Sequence, residues 1–141
     1  MAAVAVGSLD WILFFLLLVT RFLNTRPMPL MITKLLFICS QNRWRSLTAE
    51  TIAHGIDGFT ARSAGTERGA RIRVTEGHLR WADLIFVMEK RHIGRLRSKF
   101  PVAAQGKQIV CLHIPDDYGY MDPQLVELLK IKLSPYIELP G

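Results

Sequence analysis

A chain of 141 residues, half of them apolar, is long enough for one domain with a buried core. Two cysteines, Cys39 and Cys111, are too few for a disulfide framework. His54, His78, His92 and His113 are scattered without zinc-type spacing and read as surface or capping residues, so neither a metal nor a cofactor is expected. The formal charge of +6 points to anionic partners without choosing among phosphoesters, nucleic acid and a membrane surface.

The first thirty residues stand apart. Residues 11–19 read WILFFLLLV, a run far shorter than the roughly 20 apolar residues a spanning helix needs. Asp10 and no basic residue precedes the run, which does not suit a secretory signal. Arg21 and Arg26 follow it, as they would after a weak anchor whose C-terminal side faces the cytosol. Met28 and Met31 lie just before the first strand, and a translation start at either would leave a compact domain. Residues 1–30 are therefore an apolar extension (a mis-set start, an anchor, a signal or a packed helix), and 31–141 are the domain. Pro27 and Pro29 mark the boundary, since neither continues a helix. A cytoplasmic protein is expected, with membrane contact only if the extension is retained.

Beyond that boundary strands and helices alternate. Residues 34–38 (KLLFI) form a short apolar run, the pattern of a strand buried on both faces. The segment 39–44 is polar and irregular. A helix over 45–54 carries Leu47 and Ile52 and is stopped by Gly55 and Gly58. A second strand follows at 59–64, a short helix at 75–82 with Leu79 and Trp81, and a buried strand at 83–88 (DLIFVM). The helix over 90–100 spaces Ile93, Leu96 and Phe100 on one side. Around them lie Lys90, Arg91, Arg95, Arg97 and Lys99, which form either a solvated face or an attractor for a phosphorylated macromolecule, RNA included. A fourth strand spans 108–112, where Cys111 reads as a buried strand residue. The last helix, 123–133, has Asp122 as its cap, Pro123 in its first turn and an apolar stripe of Leu125, Val126, Leu128 and Leu129. This order predicts an α/β fold with a parallel sheet covered on both faces and a ligand site beyond the carboxyl ends of the strands.

One such end carries chemistry. Cys39, Ser40, Gln41, Asn42, Arg43, Trp44, Arg45 and Ser46 run from the first strand into the first helix. A thiolate is a strong nucleophile, and a helix N-terminus with successive backbone N–H groups supplies positive potential and cradles a phosphate. Arg45 can grip two phosphate oxygens in a fork, which a lysine cannot. Ser46 can donate a hydrogen bond to the thiolate. A buried core cysteine would explain Cys39 alone, but not the polar and basic residues crowded beside it.

The segment CSQNRWRS resembles the signature of the low-molecular-weight protein tyrosine phosphatases: a Cys, five residues, then Arg-Ser after the first strand. The resemblance continues through Ser63-Ala64-Gly65-Thr66, through residues 70–75 (ARIRVT) and through residues 81–89 (WADLIFVME), where an acidic residue follows the third strand. It covers roughly 32–136. It implies a three-layer α/β sandwich with a four-stranded parallel sheet, of the phosphotyrosine phosphatase I type. It also implies a cysteinyl-phosphate intermediate on Cys39, phosphate binding by residues 40–46, and a phosphorylated substrate. The family places its general acid in an Asp-Pro-Tyr loop after the fourth strand. Here that stretch reads Ile114-Pro115-Asp116-Asp117-Tyr118-Gly119-Tyr120; aligning Tyr118 favours Asp116, while Asp117 in the proline's place keeps the choice open.

Other departures bear on the substrate. Trp44 stands where many members have a second cysteine, so no vicinal disulfide can protect Cys39; Trp44 is either an aromatic wall or packed on the domain. Tyr118 and Tyr120 either stack on a planar leaving group or pack. Gln41 stands where glycine is usual and would be strained if that position needs a positive φ. Asn42 matches the family's loop-holding asparagine. Three rivals remain beside a tyrosine phosphatase: an arsenate reductase, disfavoured because only Cys111 is left for disulfide relay; a phosphatase for RNA ends or small phosphoesters; and an inactive phosphate-binding module. Oligomeric state is open.

Overall fold

The structure, a computed structural model, describes residues 12–13 and 32–138. The expectations for residues 1–30 fall outside the described residues, apart from Ile12 and Leu13, which are helical and exposed. Among the described residues no helix is long and apolar enough to cross a membrane.

The run KLLFI forms the strand β1, Thr33–Cys39, and its last five residues are all buried. A strand can bury consecutive residues only if both faces are covered, because successive side chains point to opposite sides. Leu35, Phe37 and Cys39 face one layer and Leu36 and Ile38 the other. Each large apolar side chain so buried contributes about 1.5–3 kcal/mol relative to an exposed one. The first layer is built from α1 (Arg45–Ala53) and α5 (Pro123–Leu133), through Ala49, Ala53, Leu125, Leu129 and Leu133. The second comes from α2 (Glu76–Trp81), α3 (Lys90–Lys99) and α4 (Pro101–Ala104), through Leu79, Leu96, Ala103 and Ala104.

The other strands are β2 (Phe59–Gly65), β3 (Leu84–Val87) and β4 (Gln108–Cys111). The sheet is four-stranded and parallel, in the order β2-β1-β3-β4, as the sequence predicts. Its register brings the carboxyl ends level: Cys39 lies beside Gly65, Ile38 beside Val87, and Val87 beside Cys111. The loops after all four strands therefore open on one edge. The strand order reverses beside β1, the position where open α/β sheets bind ligands.

Three details differ from the sequence reading. Helix α4 was not expected; Pro101 cannot continue α3 but is well suited to start a new turn, and it does so directly after Phe100. The buried face of α1 is made of Arg45, Ser46, Thr48, Ala49 and Ala53, whereas Leu47 and Ile52 are only partly buried. Small residues there let α1 lie close to β1 and β2. Cys111 is half-buried rather than buried, because β4 is an edge strand, and its Sγ lies 3.5 Å from His113 Nδ1.

Candidate active site

The loop from Cys39 to Arg45 closes around its own sulfur. Cys39 Sγ lies 3.0 Å from Ser46 Oγ and accepts the backbone N–H of Asn42 at 3.2 Å. The Asn42 side-chain amide donates to Ser46 Oγ at 2.8 Å. The turn that makes this possible sits at Asn42, whose φ is +56°, and asparagine tolerates that left-handed region better than most residues. Gln41 is not among the residues with positive φ, so the strain that a positive φ would bring there does not arise.

The outward side of the loop is held by the segment after β2. Thr66 N–H donates to Cys39 O, Glu67 N–H to Ser40 O, and Arg71 N–H to Gln41 O, at 3.0, 3.0 and 2.9 Å. Arg71 Nε donates to Asn42 O at 3.1 Å. Four consecutive carbonyls are thereby turned outward, which directs the intervening amides inward with the sulfur, the arrangement of an anion-binding nest. Gly65 is required by close approach: a Cβ there would meet Ser40 O at 2.5 Å and Ala70 Cβ at 2.6 Å. The Arg43 guanidinium also faces this outer wall, donating to Gly69 O at 3.3 Å, so its side chain is not gathered at Cys39. Gln41 is exposed, and Trp44, the residue before α1, is 46% exposed.

Arg45 is the largest fully buried side chain among the described residues, and its charge is met from three sides. Nη1 donates to Glu89 Oε1 at 2.5 Å and to Ile114 O at 2.9 Å. Nε lies 3.4 Å from Asp116 Oδ1 without the alignment of a hydrogen bond and has no other partner. The Arg45 hydrogen bond, opposed by partial burial and reinforced by Arg91, holds the Glu89 carboxyl down at about 2. Glu89 also receives Arg91 Nη2 at 3.2 Å.

Ser40 is tied to the same cluster. Its Oγ accepts from Arg91 Nη2 at 3.0 Å and lies 3.0 Å from His92 Nε2. His92 Nδ1 accepts the Glu89 N–H at 3.0 Å, so Nε2 carries the proton of the neutral ring and donates it to Ser40. Burial first, then Arg45 and Arg91, partly countered by Glu89, pushes the His92 pKa down to about 4. Glu89, Arg91 and His92 were not assigned to the site from sequence; the one signal was the acidic residue after the third strand. His92 is a cap, as expected of the histidines, but it is wholly buried.

The loop after β4 reaches the site at Arg45, through Ile114 O and Asp116, and is fastened to α1. Met121 N–H donates to Thr48 Oγ1 at 3.0 Å. Thr51 Oγ1 donates to Leu47 O, so it accepts from Tyr120 O–H, 3.0 Å away. Tyr118 packs on the core cluster of β1 and α5, and Tyr120 is 49% exposed. Asp116 and Asp117 are both exposed; Asp116 faces Arg45, and Asp117 makes no ion pair among the described residues.

No family model matches this chain, and no curated protein matches it. Solved structures do. The tyrosine phosphatase Wzb from Escherichia coli K30, in complex with phosphate, is similar with a TM-score of 0.61 at 23% identity, over 75% of this chain and 96% of that one. The low molecular weight protein tyrosine phosphatase SP-PTP from Streptococcus pyogenes gives 0.61 at 16% identity, over 76% and 95%. The YwlE arginine phosphatase from Geobacillus stearothermophilus gives 0.56 at 16% identity, over 77% and 99%. The chain has the fold of the low-molecular-weight protein tyrosine phosphatases, the resemblance drawn from its motifs.

Proposed function

We propose that the chain is a cysteine-dependent phosphomonoester hydrolase of the protein tyrosine phosphatase type, with Cys39 as nucleophile, Arg45 and the loop amides as phosphate holders, and Asp116 as general acid. The observation that carries this reading is the convergence at one sulfur of the Ser46 hydroxyl and the Asn42 amide, with Arg45 beside Asp116. A core cysteine has no use for such donors, whereas a thiolate does.

In this mechanism the Cys39 thiolate attacks phosphorus and the S–P bond forms as the ester oxygen leaves. Asp116, protonated at that moment, gives its proton to the leaving oxygen. As carboxylate it then takes a proton from the water that hydrolyses the cysteinyl-phosphate, and Cys39 leaves as thiolate, stabilised by the Ser46 hydroxyl. Charge on the equatorial oxygens is met by the inward amides and by Arg45, whose Nε is without a hydrogen-bond partner and so is available to an oxygen. Glu89 and Ile114 O hold the other side of the guanidinium and set its plane. The Arg45–Asp116 contact favours Asp116 over Asp117.

The fold houses tyrosine and arginine phosphatases alike, so phosphotyrosine, phosphoarginine and 5′-phosphorylated RNA belong in one substrate panel. The first assay is hydrolysis of an aryl phosphate across pH. Wild type turns over, Cys39→Ser does not, and Asp116→Asn loses about 10²–10⁴-fold while Asp117→Asn stays near wild type. A folded wild-type protein that binds phosphate and hydrolyses none of the panel would make it a phosphate-binding module instead.

A further inference from the structure

The basic residues of α3 do not form one solvated face. Arg91, Arg95 and Lys99 recur at every fourth position and line a groove of about 540 Å³ together with Arg68 and Arg73 from the segment after β2. Lys90 and Arg97 are not part of it. All five lining cations are exposed; Arg95 is paired with Glu67, the one carboxylate of the lining, and Arg91 with Glu89, while Arg68, Arg73 and Lys99 make no ion pair among the described residues. Gly94 and Ser98, the small residues between the cations on that side of α3, leave the floor open. The groove abuts the outer wall of the phosphate loop. Thr66, on its lining, donates its N–H to Cys39 O, and Arg91, also on its lining, donates to Ser40 Oγ.

We infer that this groove binds an acidic segment of the polypeptide that carries the phosphorylated residue. The inference rests on the hydrolase reading and names its substrate class. Four of the five cations are arginines, whose forked donors match carboxylates. From Arg91 to Lys99 the helix rises about 12 Å. An extended chain at about 3.3 Å per residue covers that length with about four residues. Single-stranded nucleic acid fits less well, because no aromatic side chain lines the groove to stack a base. Exposed ion pairs multiply affinity by no more than about fivefold each, so an acidic segment alone binds weakly, near the millimolar range. Joined to a phosphoryl group held at Cys39, the same segment is presented at millimolar effective concentration and its contribution appears in full.

The test uses the full chain and the triple variant Arg68→Gln/Arg73→Gln/Lys99→Gln, none of which touches the phosphate loop's side chains. Phosphotyrosine peptides with four glutamates or four neutral residues beside the phosphotyrosine are compared by kcat/KM. The expected result is a preference of about tenfold or more for the acidic peptide, lost in the triple variant and at about 1 M salt, where the Debye length is about 3 Å. Aryl phosphate turnover stays unchanged in the variant. Equal kcat/KM for the two peptides, or a preference that survives in the variant, overturns the inference. A second measurement does not depend on chemistry: an NMR titration with the unphosphorylated acidic peptide shifts the Gly94 and Ser98 amides in wild type and not in the variant. If nothing is hydrolysed, the hydrolase reading fails and this titration still decides the groove. Shifts produced by a short RNA but not by the peptide overturn the inference in favour of nucleic acid.

Discussion

Asn42 Nδ2 donates to Ser46 Oγ at 2.8 Å, so the Ser46 oxygen accepts while its own hydrogen is left for another partner. A Cys39 thiolate, its sulfur 3.0 Å away, can only accept, so in that state the hydroxyl gives its hydrogen to the sulfur. Asn42 therefore acts on the sulfur through Ser46 as well as through its own backbone N–H. A hydrogen bond to a charged group contributes about 1.5–3 kcal/mol, so Ser46→Ala lowers kcat/KM for an aryl phosphate by roughly 10–100-fold. Asn42→Ala lowers it in the wild-type background and adds less in the Ser46→Ala background. A double-mutant cycle reads the coupling, and strict additivity would mean that the two side chains act independently.

Acid stability has two limbs with different owners. The His92 pKa is depressed from 6.5 to about 4, so the unfolded chain binds a proton that the folded one refuses. Stability from this source is full above about 6.5 and is lost as pH falls toward 4. Glu89 is depressed from 4.5 to about 2, so its contribution is full above about 4.5 and is lost as pH falls toward 2. Urea unfolding at a series of pH values checks this. His92→Gln flattens the upper limb, and Glu89→Gln flattens the lower one. An upper limb unchanged in His92→Gln would assign those protons elsewhere. In the folded protein above pH 4, nitrogen NMR shows His92 as the neutral Nε2–H form.

Gly65→Ala separates close approach from backbone strain. Gly65 is not among the glycines with positive φ, so the alanine backbone is acceptable, but its methyl would sit 2.5 Å from Ser40 O. Overpacking of this kind costs about 1–3 kcal/mol, or several degrees of Tm. Because the atom displaced is a carbonyl of the phosphate loop, activity at a temperature where the variant is fully folded falls as well. A lowered Tm with unchanged kcat/KM would mean that the loop adjusts without moving its amides.

Strands β1 and β3 were legible because they are buried on both faces and so read as unbroken apolar runs. The Cys39–Ser46 loop was legible because its parts are adjacent in sequence. The site's remaining parts are tertiary. Arg45 meets Glu89 across 44 positions and Ser40 meets His92 across 52, and neither pairing leaves a local pattern. The family's glycine stands at Gln41, but the positive φ lies at Asn42, whose carbonyl, like those of the three residues before it, is held by the segment after β2, a pairing that leaves no local pattern. The basic residues of α3 looked like one cluster, and only the folded chain divides them by pairing three with Arg68 and Arg73.

The last prediction concerns how Asp116 is kept over the loop. Asp116 itself is exposed and only approaches Arg45, so its position depends on the rest of its segment. That segment is tied to α1 by Thr48 Oγ1, which accepts the Met121 N–H, and by Thr51 Oγ1, which accepts the Tyr120 hydroxyl. Thr48 is fully buried, and valine has nearly its shape without the acceptor. Thr48→Val leaves the Met121 N–H without that partner, at a cost of about 1–3 kcal/mol if it stays buried and less if the loop swings out to water. In the second case stability is nearly kept and the acid is misplaced. The expected result is a kcat at least tenfold lower for aryl phosphates with basic leaving groups, which need the proton. Those with acidic leaving groups, which do not, are little affected. Alkylation of Cys39 by iodoacetamide stays at the wild-type rate, because the sulfur's donors, the Ser46 hydroxyl and the Asn42 N–H, belong to the phosphate loop and the start of α1 and not to the acid's segment. An equal loss for both kinds of leaving group, or slowed alkylation, would show that Thr48 supports the phosphate loop rather than the acid.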